Sequence, residues 1–536
     1  MKRRTFLTVI AVAGVMLTFA QPNVQARAIP KGKRPLNIAQ FDAAIKSISP
    51  ARVAELDGAL TYATIPQMQQ LFQQSKLTSE ELVKYYLWRI NKYDLNKLNS
   101  VTELNPDALE IARQLDAERK AGKVRGPLHG TVAVVKDNIG TGDKLHTTAG
   151  AVAMLNARSD RDAFIVKKLR DAGVIILGKT GMSEWANFVS DDMPHGWNAV
   201  NGGVKNPYGS SYLAFGSSTG SAVAMPANLA TFSIGTETWG SLTAPALMNS
   251  AFTLKPTLGI VSRDRIIPIT DAQDTAGPLA RNATDLTLVM NAISGRDGND
   301  YATIAAKGVP ATFDQGLSLD GLKGLRIGMF APAGILNPPA EDEALYKQTV
   351  AAMKAAGAIV IELPALPDIG ADTDKQSSGV MLYGFKTGVG AYLQATNGPI
   401  KSVAELVAFN AQDKANRVPF GQFYLEKAAN SQMTAAEYAA AVQAIREKAQ
   451  KQIDGLLAAN KLDLLAAINI DLLSTVNNCG AGYPGLVVPV GFQTDGQPMG
   501  VMFVGTAMSD AKLIRAAYAL EQANKVWRAP DLSKWK

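Results

Sequence analysis

The sequence is poor in the side chains on which most hydrolases and metalloproteins depend. It holds one cysteine, Cys479, and three histidines, His129, His146 and His195, in 536 residues. One cysteine excludes an internal disulfide. Cys479 stands in Asn477-Asn478-Cys479-Gly480, ahead of an apolar stretch, and reads as a small packed residue. No two histidines have the His-x-x-x-His spacing of a metal pair, so neither a metal nor another cofactor is expected. His129 sits in a turn before a strand, His146 in a loop and His195 beside Pro194; all three read as structural. Charged residues make up only 19% of the chain and form no basic tract, which excludes nucleic acid as a partner. Apolar runs are also few. The stretch Phe6 to Ala20 is too short for an ordinary spanning helix, and no second such run follows.

That first run has the form of an export signal. Lys2-Arg3-Arg4 precedes it, and a polar stretch ending Val24-Gln25-Ala26 follows: a charged region, an apolar region and a small-residue cleavage site. Residues 1–26 are therefore expected to be a signal peptide, and the protein periplasmic or secreted, with no stable membrane insertion once the signal is removed. Arg3-Arg4-Thr5-Phe6-Leu7 resembles the core of a twin-arginine signal, with Lys2 where serine or threonine is usual. Without residues 1–26 the chain carries 51 basic and 47 acidic side chains, a mild balance.

Hydrophobic residues reach 47%, enough for a large buried core. Residues 27–60, with Pro30, Lys31, Lys33, Arg34 and Pro35, read as an irregular N-terminal arm. From residue 61 onward short apolar runs alternate with amphipathic stretches. Strands are expected at Thr131–Val135, Val174–Leu177, Thr231–Ile234, Leu325–Met329, Ile359–Leu363, Leu462–Ala467, Leu486–Val490 and Gly500–Phe503. Helical spacing marks Thr64–Tyr93, Pro106–Gly122, Arg161–Ala172, Ser221–Leu229, Ala283–Ser294, Asp342–Ala356, Ala435–Leu457 and Asp510–Gln522; residues 370–435 read as mostly helical. Such alternation predicts an α/β fold: one large domain over residues 61–536, with a mixed central sheet covered by helices on both faces.

The chemistry concentrates in Phe215 to Ala244. Gly216-Ser217-Ser218-Thr219-Gly220-Ser221 is followed by an apolar stretch and then by Gly235-Thr236-Glu237-Thr238-Trp239-Gly240-Ser241. Glycine lets several backbone N–H groups converge on one point, as stabilising an oxyanion requires. A serine beside such donors is a candidate nucleophile that needs a base. Gly216-Ser217-Ser218-Thr219-Gly220 also fits the Gly-x-Ser-x-Gly elbow of α/β hydrolases, with Ser218 as nucleophile. That fold requires a histidine after the serine, and none of the three lies there.

Taken in order, a series of short stretches resembles the amidase signature family of serine hydrolases. They include Gly126 to Gly130, Val135 to Ile139, Thr147 to Gly150, Gly178-Lys179, Ser183 to Asn187, Asn206 to Tyr208 and Gly216 to Ser218. The series continues through Gly235 to Glu237, Gly240-Ser241, Leu254 to Thr257, Val261 to Arg263, Gln273 to Thr275, Gly277-Pro278, Ala280-Arg281, Gly482 to Pro484 and Val488-Pro489. The variants at Ser183 to Asn187, Gly235 to Thr238 and Gln273 to Thr275 look most like the bacterial peptide amidase branch. The resemblance implies the amidase signature fold and hydrolysis of a small-molecule or peptide amide. It also implies Ser241 as nucleophile, Ser217 as bridging serine and Lys136 as base. Ser217 would follow a cis peptide bond from Gly216, and Ser218 would be a second hydrogen-bond partner for Lys136. The backbone N–H groups of Thr238, Trp239, Gly240 and Ser241 would form the oxyanion hole. A lysine walled in by apolar groups favours its neutral form, as a base must.

Trp239 departs from the family, which usually has glycine or aspartate there; Thr219, Ser250 and Thr253 also stand where smaller residues are commoner. The indole would project near the acyl or leaving-group pocket, where it could narrow the site or stack on a substrate. Trp185, Phe188 and Trp197 could line the same pocket or belong to the core. Two alternatives share this resemblance. One is a subunit that transfers ammonia to glutamyl-tRNA, against which the signal peptide argues. The other is a catalytically inactive binding protein with a pocket altered by Trp239.

Overall fold

A computed structural model describes residues 34–313, 317–332, 339–364, 371–396, 398–468 and 476–535. The strands, in chain order, are β1 (Val101–Leu104), β2 (Val132–Lys136), β3 (Ile175–Thr180), β4 (Trp197–Asn198), β5 (Gly202–Gly203), β6 (Phe232–Glu237) and β7 (Phe252–Lys255). They continue with β8 (Thr275–Ala280), β9 (Arg326–Phe330), β10 (Ile359–Leu363), β11 (Leu464–Ile468), β12 (Gly485–Phe492) and β13 (Pro498–Val504). Eleven of them form one sheet in the order β1-β3-β2-β6-β8-β7-β12-β13-β11-β9-β10, while β4 and β5 make a small ribbon. Pairings on either side of β2 are parallel, and those of β8 with β6 and β7 are antiparallel, so the sheet is mixed.

Side chains along each central strand alternate between two cores. In β2, Val132 and Val134 face one cluster and Ala133 and Val135 the other. The first cluster is covered by the helices Ser79–Arg89, Thr243–Met248 and Ala435–Asn460, the second by Phe164–Asp171, Ala283–Ile293 and Asp510–Ala523. This is the single α/β domain with both faces covered that the alternation predicts. The helices start where their caps place them. Thr78 Oγ1 accepts from the Glu81 N–H at 3.1 Å, and Thr434 and Glu437 form a capping box at the start of Ala435–Asn460.

Three readings change. The segment before residue 61 is not irregular over its described part: Asp42–Ser47 and Pro50–Leu60 are helices. Ser49 caps the second by accepting from the Arg52 N–H, Pro50 opens it, and Val53, Leu56 and Leu60 bury one face. The helical spacing over Thr64–Tyr93 belongs to two helices, Ile65–Gln73 and Ser79–Arg89, the second starting after the Thr78 cap and followed by a wider helical stretch, Ile90–Leu98, that kinks at Leu95 and Asn96. The short strands β1, β7 and β8 and the helix Thr243–Met248 join the expected elements. The signal peptide assigned to residues 1–26 lies outside the described residues.

Candidate active site

The parallel neighbours β2 and β6 end side by side, β2 on Lys136 and β6 on Glu237. The carboxyl ends of adjacent parallel strands are where α/β sheets commonly place reacting groups. Lys136 closes an unbroken buried run from Val132 and is itself wholly buried. Its Nζ lies 2.9 Å from Thr236 Oγ1 and 3.1 Å from the Thr236 carbonyl oxygen, and 2.8 Å from Ser217 Oγ. Burial lowers the lysine pKa to about 7, against the opposing pull of the Asp274 and Glu237 carboxylates. A neutral amine has two N–H groups and one lone pair. With both N–H groups on Thr236, the lone pair is left for the Ser217 hydroxyl.

The turn that follows Lys136 is fixed by its own polar groups. Asn138 Nδ2 donates to Thr236 Oγ1 at 3.1 Å and to the Ile267 carbonyl at 3.2 Å. Asp137 accepts from the Thr148 N–H at 3.1 Å and from the Thr148 hydroxyl. Lys179, also wholly buried, donates to the Ile139 carbonyl and, at 3.1 Å, to Thr147 Oγ1. Burial lowers its pKa to about 8, while Asp137 pulls the other way.

Ser217 follows a cis peptide bond from Gly216. A Cβ on Gly216 would stand 2.3 Å from Ser183 Oγ and 3.1 Å from Thr219 Oγ1, so no larger residue fits without displacing them. The Ser217 carbonyl accepts from the Ser183 N–H at 3.2 Å. Ser218 supports the site differently from the expectation. Its hydroxyl donates to the Thr236 carbonyl at 2.9 Å and accepts from the Thr236 N–H at 3.2 Å. Thr236, not Ser218, is the second partner of the amine. The backbone of Ser218 joins the two serine segments, its N–H donating to the Ser241 carbonyl at 3.0 Å.

Thr238 to Ser241 form the loop between β6 and the helix Thr243–Met248. Glu237 anchors its far end: Oε2 accepts from the N–H groups of Leu242 and Thr243 at 2.7 and 2.8 Å, and from the Thr243 hydroxyl at 3.0 Å. Oε1 accepts from Cys479 Sγ at 3.2 Å, and burial pushes that thiol's pKa up. Thr238 Oγ1 donates to Asp274 Oδ1 at 2.5 Å. Gly240 has φ +77°, a left-handed conformation that favours glycine. Among the described residues the N–H groups of Thr238, Trp239 and Ser241 donate to no protein group, and that of Gly240 lies against the Cys479 sulfur. Ser241 is 7% exposed, and its hydroxyl makes no hydrogen bond among the described residues. The structure thus forms the Lys136–Ser217 contact, and joins Ser217 to Ser241 through the backbone of the intervening Ser218.

Trp239 is half-buried and packs on a third apolar cluster that holds Trp185, Phe188, Trp197 and Phe385. Trp185 and Phe188 each contact Phe385, with ring centroids 5.8 and 5.0 Å apart, and are core residues of that cluster. His129 Nε2 meets the Leu115 carbonyl at 2.9 Å, and His146 Nδ1 meets Glu103 at 2.7 Å. His195 stacks on Phe215, and burial lowers its pKa to about 4. The described residues contain no group of three or more histidine, cysteine or acidic side chains placed to hold a metal, and no helix long and apolar enough to cross a membrane.

A mixed sheet whose parallel strands deliver a buried lysine to a cis-linked serine, beside a glycine loop with free N–H groups, defines the amidase signature architecture. The chain belongs to the amidase family, whose pattern, described as Amidase, matches residues 81–473. It is 38% identical to a probable amidase of Arabidopsis thaliana over 480 residues, covering 87% of this chain and 91% of that protein. The crystal structure of the native peptide amidase of Stenotrophomonas maltophilia superposes with a TM-score of 0.84 at 40% identity, covering 88% of this chain and 99% of that one. An amidase family protein from Bacillus anthracis superposes at 0.86 with 36% identity, covering 92% and 97%.

Proposed function

We propose that this protein hydrolyses linear amide C–N bonds through Ser241, Ser217 and Lys136. Ser241 Oγ attacks the amide carbonyl carbon while its proton passes to Ser217 Oγ, whose own proton passes to the Lys136 lone pair. The tetrahedral oxyanion is held by the free N–H groups of Thr238, Trp239 and Ser241, while that of Gly240, expected to join them, stays on the Cys479 sulfur. Collapse breaks the C–N bond, and the proton returns from Lys136 through Ser217 to the leaving nitrogen as ammonia or an amine. Water then attacks the acyl–Ser241 ester by the same proton route, which frees the acid and restores the serine.

The observation that carries this reading is the amine itself: buried, 2.8 Å from Ser217 Oγ, with its other contacts on Thr236. The amidase relatives support the reaction class. Purified protein incubated with a panel of linear amides is expected to release ammonia or amine, and Ser241→Ala to lose that release. Equal release by the variant would falsify the assignment. The substrate is a small-molecule or peptide amide, and no cofactor enters any step. Residues 1–26 are proposed to direct export, so the N-terminus of protein recovered from outside the cytoplasm should begin at Arg27; an intact Met1 there contradicts cleavage.

A further inference from the structure

One carboxylate ties two halves of the site together, and the proposed reaction gives it no step. The β6–β8 ladder ends where Glu237 pairs with Thr275. One residue past that end, Thr238 Oγ1 donates to Asp274 Oδ1 at 2.5 Å. Thr238 is the first residue of the loop that runs to Ser241. The other oxygen, Asp274 Oδ2, accepts from the N–H groups of Ile269 and Thr270 at 2.8 and 3.0 Å. Just before them, Ile267 is bonded in both directions to the turn after Lys136. Its N–H donates to the Asn138 carbonyl at 2.9 Å, and its carbonyl accepts from Asn138 Nδ2 at 3.2 Å. A single side chain thus connects the turn beside the base with the loop that follows β6.

The surroundings hold Asp274 in that position. Its N–H donates to the Thr270 carbonyl at 3.0 Å, which closes a tight turn over residues 270–274. The helix Ala435–Asn460 braces this turn: the Tyr438 hydroxyl meets Thr270 Oγ1 at 2.8 Å and also Asp271, and Arg446 Nη2 donates to the Ala272 carbonyl at 2.8 Å. Arg263 attracts Asp274, but its guanidinium is held by Asp300 at 2.6 and 2.9 Å and donates to the Asp271 carbonyl. Among the described residues Asp274 makes no hydrogen bond to a cation, so its charge is left to act on Lys136. The titratable groups around it are Lys136 on β2, Glu237 on β6, Arg263 and Asp271 on the loop after β7, and Tyr438 on the helix. Of the two carboxylates that act on the Lys136 ammonium, Asp274 acts more strongly than Glu237. Burial raises the Asp274 pKa to about 6, so it is still largely ionised near pH 7, where Lys136 changes charge.

We propose that Asp274 is a positioning residue for the hydrolysis: it holds Thr238 at the start of the oxyanion loop, and its negative charge keeps Lys136 protonated up to a higher pH than burial alone would allow. This rests on the amide-hydrolase reading above. The charge has two consequences of opposite sign. It withholds neutral base from the resting enzyme, and it stabilises the ammonium that forms when the proton arrives from Ser217.

The test measures kcat and KM from about pH 5 to 9 on the panel amide that the parent hydrolyses fastest, in the parent, Asp274→Asn and Thr238→Val. In Asp274→Asn the acid limb of kcat/KM should move to lower pH by about half a unit or more, while the plateau falls about threefold or more. Thr238→Val keeps the carboxylate and removes the hydroxyl that it holds. There the limb should stay at the parent's pH, and the plateau should fall about tenfold or more in kcat rather than KM, because the oxyanion exists only beyond the ground state. A purely structural aspartate would lower the melting temperature and the plateau of Asp274→Asn and leave the limb in place. A limb unmoved in Asp274→Asn, or a parent plateau in Thr238→Val, overturns the inference and leaves amide hydrolysis standing. No ammonia or amine from any amide of the panel overturns both. Should Asp274→Asn fail to fold, Thr238→Val decides alone.

Discussion

Acidifying the assay should switch the enzyme off through Lys136. The base is active only as a neutral amine, and burial sets its pKa at about 7 rather than the ordinary 10.5. At pH 7 about half the molecules then hold a neutral Lys136, against roughly 0.03% for an unshifted lysine, a gain of about 10³ in active base. kcat/KM should therefore fall about tenfold per unit below pH 7 and level off above about pH 8. The shift also has a stability signature. Between pH 7 and 10.5 the folded chain has released a proton that the unfolded chain keeps, so stability rises with pH across that window and is independent of this group below it. The full difference amounts to about 5 kcal/mol, the cost of burying the charged form. Rates over about pH 5 to 10 on one amide, with circular dichroism melts at the same points, measure both. In Lys136→Met the rise between about pH 7 and 8 should vanish and the rise above it should shrink to the part that Lys179, with its pKa of about 8, contributes. A kcat/KM profile that is flat from about pH 5 to 9, or one that rises only near the ordinary lysine value, refutes the neutral-amine argument.

Two further substitutions probe what holds that amine. Thr236→Val removes one acceptor from Lys136 and one from Asn138, and should lower kcat/KM about tenfold or more while costing about 1–3 kcal/mol in denaturant melts; parent activity contradicts the role of Thr236. Gly216→Ala places a Cβ 2.3 Å from Ser183 Oγ, and should lower the melting temperature and the rate together by shifting Ser217; an alanine variant with parent stability and rate argues against the tight fit.

Much of the site was legible as motif. Lys136, Ser217 and Ser241 stand out as a lysine and two glycine-set serines, yet nothing local says that Lys136 meets Ser217, which is 81 residues away. That contact depends on β2 and β6 being parallel neighbours. The same dependence hid Thr236, which reaches Lys136 only because β6 lies beside β2, and left the amine's second partner to be guessed as Ser218. Asp274 was visible within a Gln-Asp-Thr stretch, but its contact with Thr238 follows from the pairing of β6 with β8, which ends one residue before it. Among the strands, β8 escaped notice because Gly277 and Pro278 argue against a sheet interior. The sheet accommodates the proline because the β7–β8 ladder holds only Phe252 with Ala280 and Thr253 with Leu279, and stops short of it. β1, four residues long and split by Glu103, is too short for a period to show. The helix Pro50–Leu60 carried a readable start in Ser49-Pro50, which the basic and proline-rich residues just upstream obscured.

The most direct test is the rate at which a fluorophosphonate probe labels the protein, with the modified residue located by mass spectrometry. Phosphonylation of Ser241 in the parent, none in Ser241→Ala and labelling slower by about 10²- to 10⁴-fold in Lys136→Met are the results a buried base working through Ser217 predicts. Label on another residue, or an unchanged rate at Ser241 in Lys136→Met, contradicts it.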